Sequence, residues 1–145
     1  MKRVLVLCIG NSCRSQMAEG YLRFYGSGKA QYCSAGLINH GINPSAIQVM
    51  SEDSIDISSH IAKDIEHFRG QHFDYILSVC EGEALDIPDF VTADHYLCYH
   101  VADPAAFVGT KEATLDKFRE VREILKTHML KFIGKELTER EAMVA

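Results

Sequence analysis

The chain has five cysteines, Cys8, Cys13, Cys33, Cys80 and Cys98, and no Cys-x-x-Cys pair. An odd number at irregular spacing argues against a disulfide framework, so the thiols are expected reduced and at least one of them reactive. Cys8 has the setting for it. It opens the run Cys8-Ile9-Gly10-Asn11-Ser12-Cys13-Arg14-Ser15, with an apolar stretch before it and helical periodicity after it. A strand–loop–helix turn points backbone N–H groups inward, and the helix N-terminus adds partial positive charge. The loop Ile9, Gly10, Asn11, Ser12 and Cys13, closed by Arg14, is therefore a nest for a tetrahedral oxyanion such as phosphate or arsenate. Cys8 sits beneath that anion, where the thiolate is the attacking form. Arg14 can curl round and grip two anion oxygens with its planar fork. Gly10 and Asn11 tolerate the left-handed turns such a loop demands, and Ser15 can cap the helix and donate a hydrogen bond to the thiolate. A buried strand-end thiol next to a solvated arginine would show the same pattern, but the strand-to-helix context favours the anion loop.

Two further positions bear chemistry. Asp103-Pro104 follows a predicted strand, where a carboxyl near a bound anion could protonate a departing oxygen; taken alone, the pair also reads as an Asp-Pro turn. Cys80 ends an apolar run, an ordinary place for a buried thiol. The seven histidines are scattered, and His67 and His72, five apart, have no third ligand nearby, so no metal site is expected.

The elements that must position these residues are legible. Residues 4–7 form a continuous apolar run, as in a strand buried on both faces. Met17, Tyr21, Phe24 and Tyr25 recur at helical spacing until Gly26 and Gly28. Residues 30–35 read as a second strand, Asn43-Pro44 as a helix start, residues 62–68 as a short helix, 73–79 as a third strand and 96–101 as a fourth. Thr110 should cap a long helix whose stripe is Leu115, Phe118, Val121, Leu125, Met129 and Phe132. Strands alternating with helices predict a single α/β domain, residues 1–134, with a four-stranded parallel sheet and helices on both faces. Residues 135–145 read as a charged, loosely held tail.

Composition narrows the function. The 145 residues are 47% hydrophobic and 24% charged, with 15 Lys plus Arg against 20 Asp plus Glu, a formal charge of −5. That balance, without a basic face, argues against nucleic acid. No apolar run approaches the roughly 18 residues of a membrane span, and the run after Met1-Lys2-Arg3 is too short for a secretory signal. The cytoplasm is the expected location.

The stretch Cys8-Ile9-Gly10-Asn11-Ser12-Cys13-Arg14-Ser15-Gln16-Met17-Ala18-Glu19-Gly20 resembles the signature of arsenate reductases built on the low-molecular-weight tyrosine phosphatase fold. Ser34-Ala35-Gly36, His40-Gly41-Ile42-Asn43-Pro44, Asp56-Ile57-Ser58, Asp103-Pro104 and Phe118-Arg119-Glu120-Val121-Arg122 extend the resemblance in order along the chain. It implies Cys8 as nucleophile, Asp103 as general acid and Cys80 as the second thiol of a reductase. Thioredoxin-linked members carry a third cysteine seven residues beyond the second; here that position is Ile87, before Pro88. The expected reductant is therefore an external thiol, glutathione with glutaredoxin in preference to thioredoxin, with no bound cofactor. Cys98 is the only downstream thiol, placed inside the fourth strand; Cys13 is expected to be geometric and Cys33 core. Asn11, Glu19 and Ser34 match residues that surround potassium in some relatives, but their further acidic ligand is replaced by Lys63, whose ammonium could supply the cation. The partners implied are a small oxyanion, arsenate or a phosphate ester, and a redox protein or small thiol. The alternative is a phosphotyrosine phosphatase, although Ala105-Ala106-Phe107 lacks the tyrosines such enzymes commonly place after the Asp-Pro pair. A non-enzymatic redox or anion sensor is a third reading.

Overall fold

The computed structural model describes residues 1–10, 13–38, 41–80 and 86–138. Four parallel strands, β1 (Lys2–Cys8), β2 (Ala30–Gly36), β3 (His72–Cys80) and β4 (Thr92–His100), form one sheet in the order β2-β1-β3-β4. Three helices, α1 (Arg14–Tyr25), α2 (Pro44–Glu52) and α3 (Lys111–Phe132), accompany them. The expected class, a single α/β domain on a four-stranded parallel sheet, is what forms.

Val4, Leu5, Val6 and Leu7 are all fully buried, because both faces of a central parallel strand are covered. The Asn43 side chain accepts from Ser45 N and starts α2, and Thr110 accepts from Ala113 N and starts α3. All six residues of the α3 stripe are buried. They join Met17, Tyr21, Leu22, Val49 and Met50 in a large core on one face of the sheet. The other face is covered more thinly: Ile65, Phe68 and Val91 close a smaller core over Leu5, Leu7, Phe73 and Ile76.

Three boundaries differ from the sequence reading. The helix expected over residues 62–68 is one short 3-10 turn, Ile65–Phe68. Gly36 N donates to Lys63 O and Gly36 bridges Asp64, so the residues before the turn are spent on strand-like pairing. β4 begins at Thr92 rather than 96, its mixed edge-strand composition hiding the first residues. The helical path continues past Gly134 as a wider turn, Ile133–Thr138, with Leu137 buried and Glu136 accepting from the Tyr75 hydroxyl. The chain thus stays docked beyond the boundary expected at 134; residues 139–145 lie outside the described residues.

From β1 the chain moves out to β2, then crosses back to β3 on the other side. In such sheets ligands bind at this switch point, beyond the carboxyl ends of the strands. Cys8 and Cys80 are the last residues of the two strands that flank it.

Candidate active site

At the end of β1 the backbone is held before the loop begins. Leu37 N donates to Cys8 O at 3.3 Å and Ile38 N to Ile9 O at 2.8 Å, extending the strand pairing past β2. Cys8 is buried, 2% exposed, and its Sγ lies 2.9 Å from Ser15 Oγ. Ser15 does not cap the helix as expected. Cys13 holds the N-cap position of α1, its own side chain makes no cap hydrogen bond, and Ser15 lies within the first turn with its hydroxyl turned to the thiol. The start of α1 adds the partial positive charge of a helix N-terminus to this end of the sheet.

Arg14 is a buried cation, 6% exposed. One guanidinium nitrogen donates to Val101 O at 2.9 Å, beyond β4, and the other lies 3.9 Å from the Asp103 carboxylate. Asp103 in turn accepts from Ala105 N at 2.9 Å, capping the short turn Pro104–Ala106. The turn is real, and it leaves the other carboxylate oxygen facing Arg14. Cys8, Ile9, Gly10, Cys13, Arg14, Asp103 and Ala105 enclose a cavity of about 140 Å³. Asn11 and Ser12 of the expected loop, like His40 of the matched motif, lie outside the described residues. The structure thus brings together Cys8, Ile9, Gly10, Cys13, Arg14, Ser15 and Asp103. A thiol with a hydroxyl beside it, a fixed guanidinium and a half-exposed carboxyl suit nucleophilic attack on a tetrahedral oxyanion with proton delivery to its leaving oxygen.

Cys80 ends β3 and is 2% exposed. Burial pushes its thiol above the ordinary cysteine value; Arg14 opposes this, and the neighbouring Cys98 and Cys8 thiols reinforce it. Cys33 is half-buried, its Sγ 3.7 Å from Val4 O, and burial pushes it up to about 12, in keeping with a packing role.

A larger cavity, about 350 Å³, lies alongside, lined by Gln16, Glu19, Arg23, Ser59, His60, Ile61 and Lys63. It contains no nucleophilic thiol. Its buried carboxylate, Glu19, accepts from Ser34 Oγ through one oxygen and pairs with Arg23 Nε at 2.6 Å through the other. Both oxygens are taken, and the paired cation is Arg23, with Lys63 on the same wall. Of the matched set, Asn11 lies outside the described residues, and Glu19 is engaged by Ser34 and Arg23. Arg23 was missed in the sequence reading; its signal was the i, i+4 spacing from Glu19 on one helix. The Val101 carbonyl that anchors Arg14 is a backbone atom and carried no signal.

Among the described residues no group of three or more His, Cys, Asp or Glu side chains could hold a metal ion, and no helix is long and apolar enough to cross a membrane.

A parallel α/β sheet with a buried cysteine at its switch point, a helix N-terminus beside it and an arginine lining the same small cavity is an arrangement suited to a thiol acting on an oxyanion. The model of the low molecular weight phosphotyrosine protein phosphatase family matches residues 3–143, and the chain belongs to that family. A glutaredoxin arsenate reductase from Synechocystis sp. is 36% identical over 135 residues, 93% of this chain and 98% of that protein. An arsenate reductase from Shouchella clausii is 38% identical over 135 residues, covering 90% and 94%. The solved structure of an arsenate reductase in the phosphate-binding state superposes with a TM-score of 0.80 at 36% identity, covering 93% of this chain and 98% of that one.

Proposed function

We propose that the protein reduces arsenate to arsenite through a covalent adduct on Cys8. The observation that carries the reading is the second buried thiol, Cys80, at the carboxyl end of the strand next to β1, which Cys8 ends in the same way. Hydrolysis of a phosphocysteine needs only water in that place; a reductase needs a thiol.

The Cys8 thiolate attacks arsenic, and the departing hydroxide takes a proton from Asp103 and leaves as water. Arg14 and the α1 N-terminus hold the remaining oxygens. Cys80 then attacks the Cys8 sulfur as a thiolate. The sulfur–arsenic bond breaks with its electron pair on arsenic, releasing arsenite and leaving a Cys8–Cys80 disulfide. An external thiol of the glutathione–glutaredoxin type restores the dithiol, a role supported by the Synechocystis relative. The cytoplasm, where small thiols keep cysteines reduced, suits this cycle.

The test treats fully reduced protein with arsenate, or with phosphate as control, in the absence of any reductant. One arsenite and the loss of two thiols per chain, with arsenate only, is the expected result. No thiol loss, combined with brisk hydrolysis of an aryl phosphate, would replace the reading with the phosphatase one.

Asp103→Asn should slow adduct formation by about 10²–10⁴-fold, read as the pre-steady-state rate of arsenite release. Phosphate affinity should hold, because Asp103 reaches Arg14 only at 3.9 Å and from a 41%-exposed side chain; lost affinity would give Asp103 a structural role instead. The Glu19–Arg23 pair supports a second expectation. Exchanging sodium for potassium at constant ionic strength should leave both turnover and melting temperature unchanged, and a rise in either with potassium would count against an internal cation.

A further inference from the structure

The acid of the proposed reaction stands on a short stretch of chain between two caps. Asp103 starts the turn Pro104–Ala106, and Thr110 starts α3. Ala106 N donates to Asp103 O at 3.2 Å and Phe107 N to Pro104 O at 3.3 Å, so the turn is closed on itself. Among the described residues, the Asp103 carboxylate accepts one hydrogen bond, from Ala105 N of the same turn, and meets Arg14 only at 3.9 Å. Where the carboxyl points therefore depends on where the whole turn sits. The turn packs against α3, and Pro104, which is buried, seats its start.

An aromatic ring seats the far end. Val108 is 93% exposed, whereas the Phe107 ring lies across Gly109. A methyl group on Gly109 would stand 2.6 Å from Cε2 and 3.0 Å from Cζ of that ring, and 3.7 Å from Ala113 Cβ in the first turn of α3. Carbon atoms in contact rest about 3.5–4.0 Å apart, so residue 109 has no room for a side chain while the ring stays in place. The backbone of Gly109 is outside the left-handed region. The close approach of the ring, not the conformation of the chain, is what demands glycine there.

We propose that the Phe107 ring, seated on Gly109, is a latch: it fastens the acid turn to the start of α3 and so sets the reach of Asp103 into the Cys8 cavity. Phe107 and Gly109 are positioning residues. The proposal rests on the arsenate-reductase reading above, in which Asp103 protonates the departing hydroxide. Asp103 and Ala105 line the cavity, and Phe107 does not. The anchor is firm, because the α3 stripe is buried in the large core. A proton donor works only within hydrogen-bond reach of the oxygen it serves, and a displacement of about 1 Å can cost on the order of 10²-fold in rate.

The test measures single-turnover arsenite release and calorimetric phosphate affinity for Gly109→Ala, Phe107→Ala, the double variant, and each single change in an Asp103→Asn background. The displaced ring can swing into solvent, so the variants should fold and bind phosphate as the natural chain does. Gly109→Ala and Phe107→Ala should each slow release by about tenfold or more. The double variant should be no slower than Phe107→Ala, since both changes undo one contact. In the Asp103→Asn background neither change should slow release further, because the group they position is gone. Release at the natural rate in Gly109→Ala, lost phosphate affinity, losses that add in the double variant, or losses that persist beside Asp103→Asn would overturn the latch and leave the reductase reading standing. No arsenite from the natural chain would overturn both.

Discussion

Cys8→Ser should abolish arsenate reduction and any aryl phosphate hydrolysis together, by on the order of 10⁴-fold or more. The substitution is nearly isosteric and keeps a hydrogen-bonding group 2.9 Å from the Ser15 hydroxyl, so the fold and the anion site should survive it. What it removes is the accessible anion. A thiol ionises within a few units of neutrality, whereas a serine hydroxyl needs an adjacent general base. Around Cys8 the site offers a hydroxyl, a guanidinium and a helix terminus, and the carboxyl of Asp103 is engaged by Ala105 N and faces Arg14. Arsenite release, aryl phosphate turnover and calorimetric phosphate binding would be measured side by side. Residual turnover near the natural rate would mean that another residue is the nucleophile. Loss of phosphate binding would mean that Cys8 also holds the loop's shape.

Cys80→Ser should separate the two chemistries. Arsenite release should drop by about 10²-fold or more, because the adduct on Cys8 has lost its attacking thiol. Phosphate binding and any aryl phosphate hydrolysis should persist, since neither requires a second sulfur. If arsenite release survives, a different thiol resolves the adduct. A pH profile of the natural chain gives an independent reading of the same residue. Burial raises the Cys80 thiol above the ordinary cysteine value, so at neutral pH it is almost wholly protonated. The single-turnover rate of disulfide formation should therefore climb with pH, by about tenfold per unit while the thiol is protonated. It should keep climbing past the point where an ordinary cysteine levels off. A plateau below that point would show that another step limits the rate.

Much of this site could be read before any coordinates. The apolar run Val4, Leu5, Val6 and Leu7, the Asn43-Pro44 and Thr110 helix starts and the α3 stripe are local signals, each governed by burial or capping within a few residues. Cys8, Arg14 and Asp103 were legible because a loop between a strand and a helix, and a turn after a strand, have fixed positions in a parallel sheet. The misreadings came from long-range partners. Residues ahead of Ile65 were drawn into pairing with Gly36, and Leu137 and Glu136 keep residues 133–138 docked, Glu136 through Tyr75, whereas Ser15 makes the expected contact with Cys8 and only its capping role fails. Arg14 shows the limit most clearly. Its place beside Cys8 followed from the loop, but its anchor, the Val101 carbonyl, belongs to a distant segment.

That anchor also bears on when the protein becomes competent during synthesis. The nucleophile and the arginine emerge early, the second thiol and β4 much later, and the acid after them. Until β4 has docked, Arg14 has neither Val101 to hold it nor Asp103 to face. Parallel sheets gather such distant pieces slowly compared with the formation of single helices. In a refolding experiment, helical circular dichroism should recover first and arsenite production last. A nascent chain whose synthesis has not passed Asp103 carries a reactive cysteine without the means to complete a turnover.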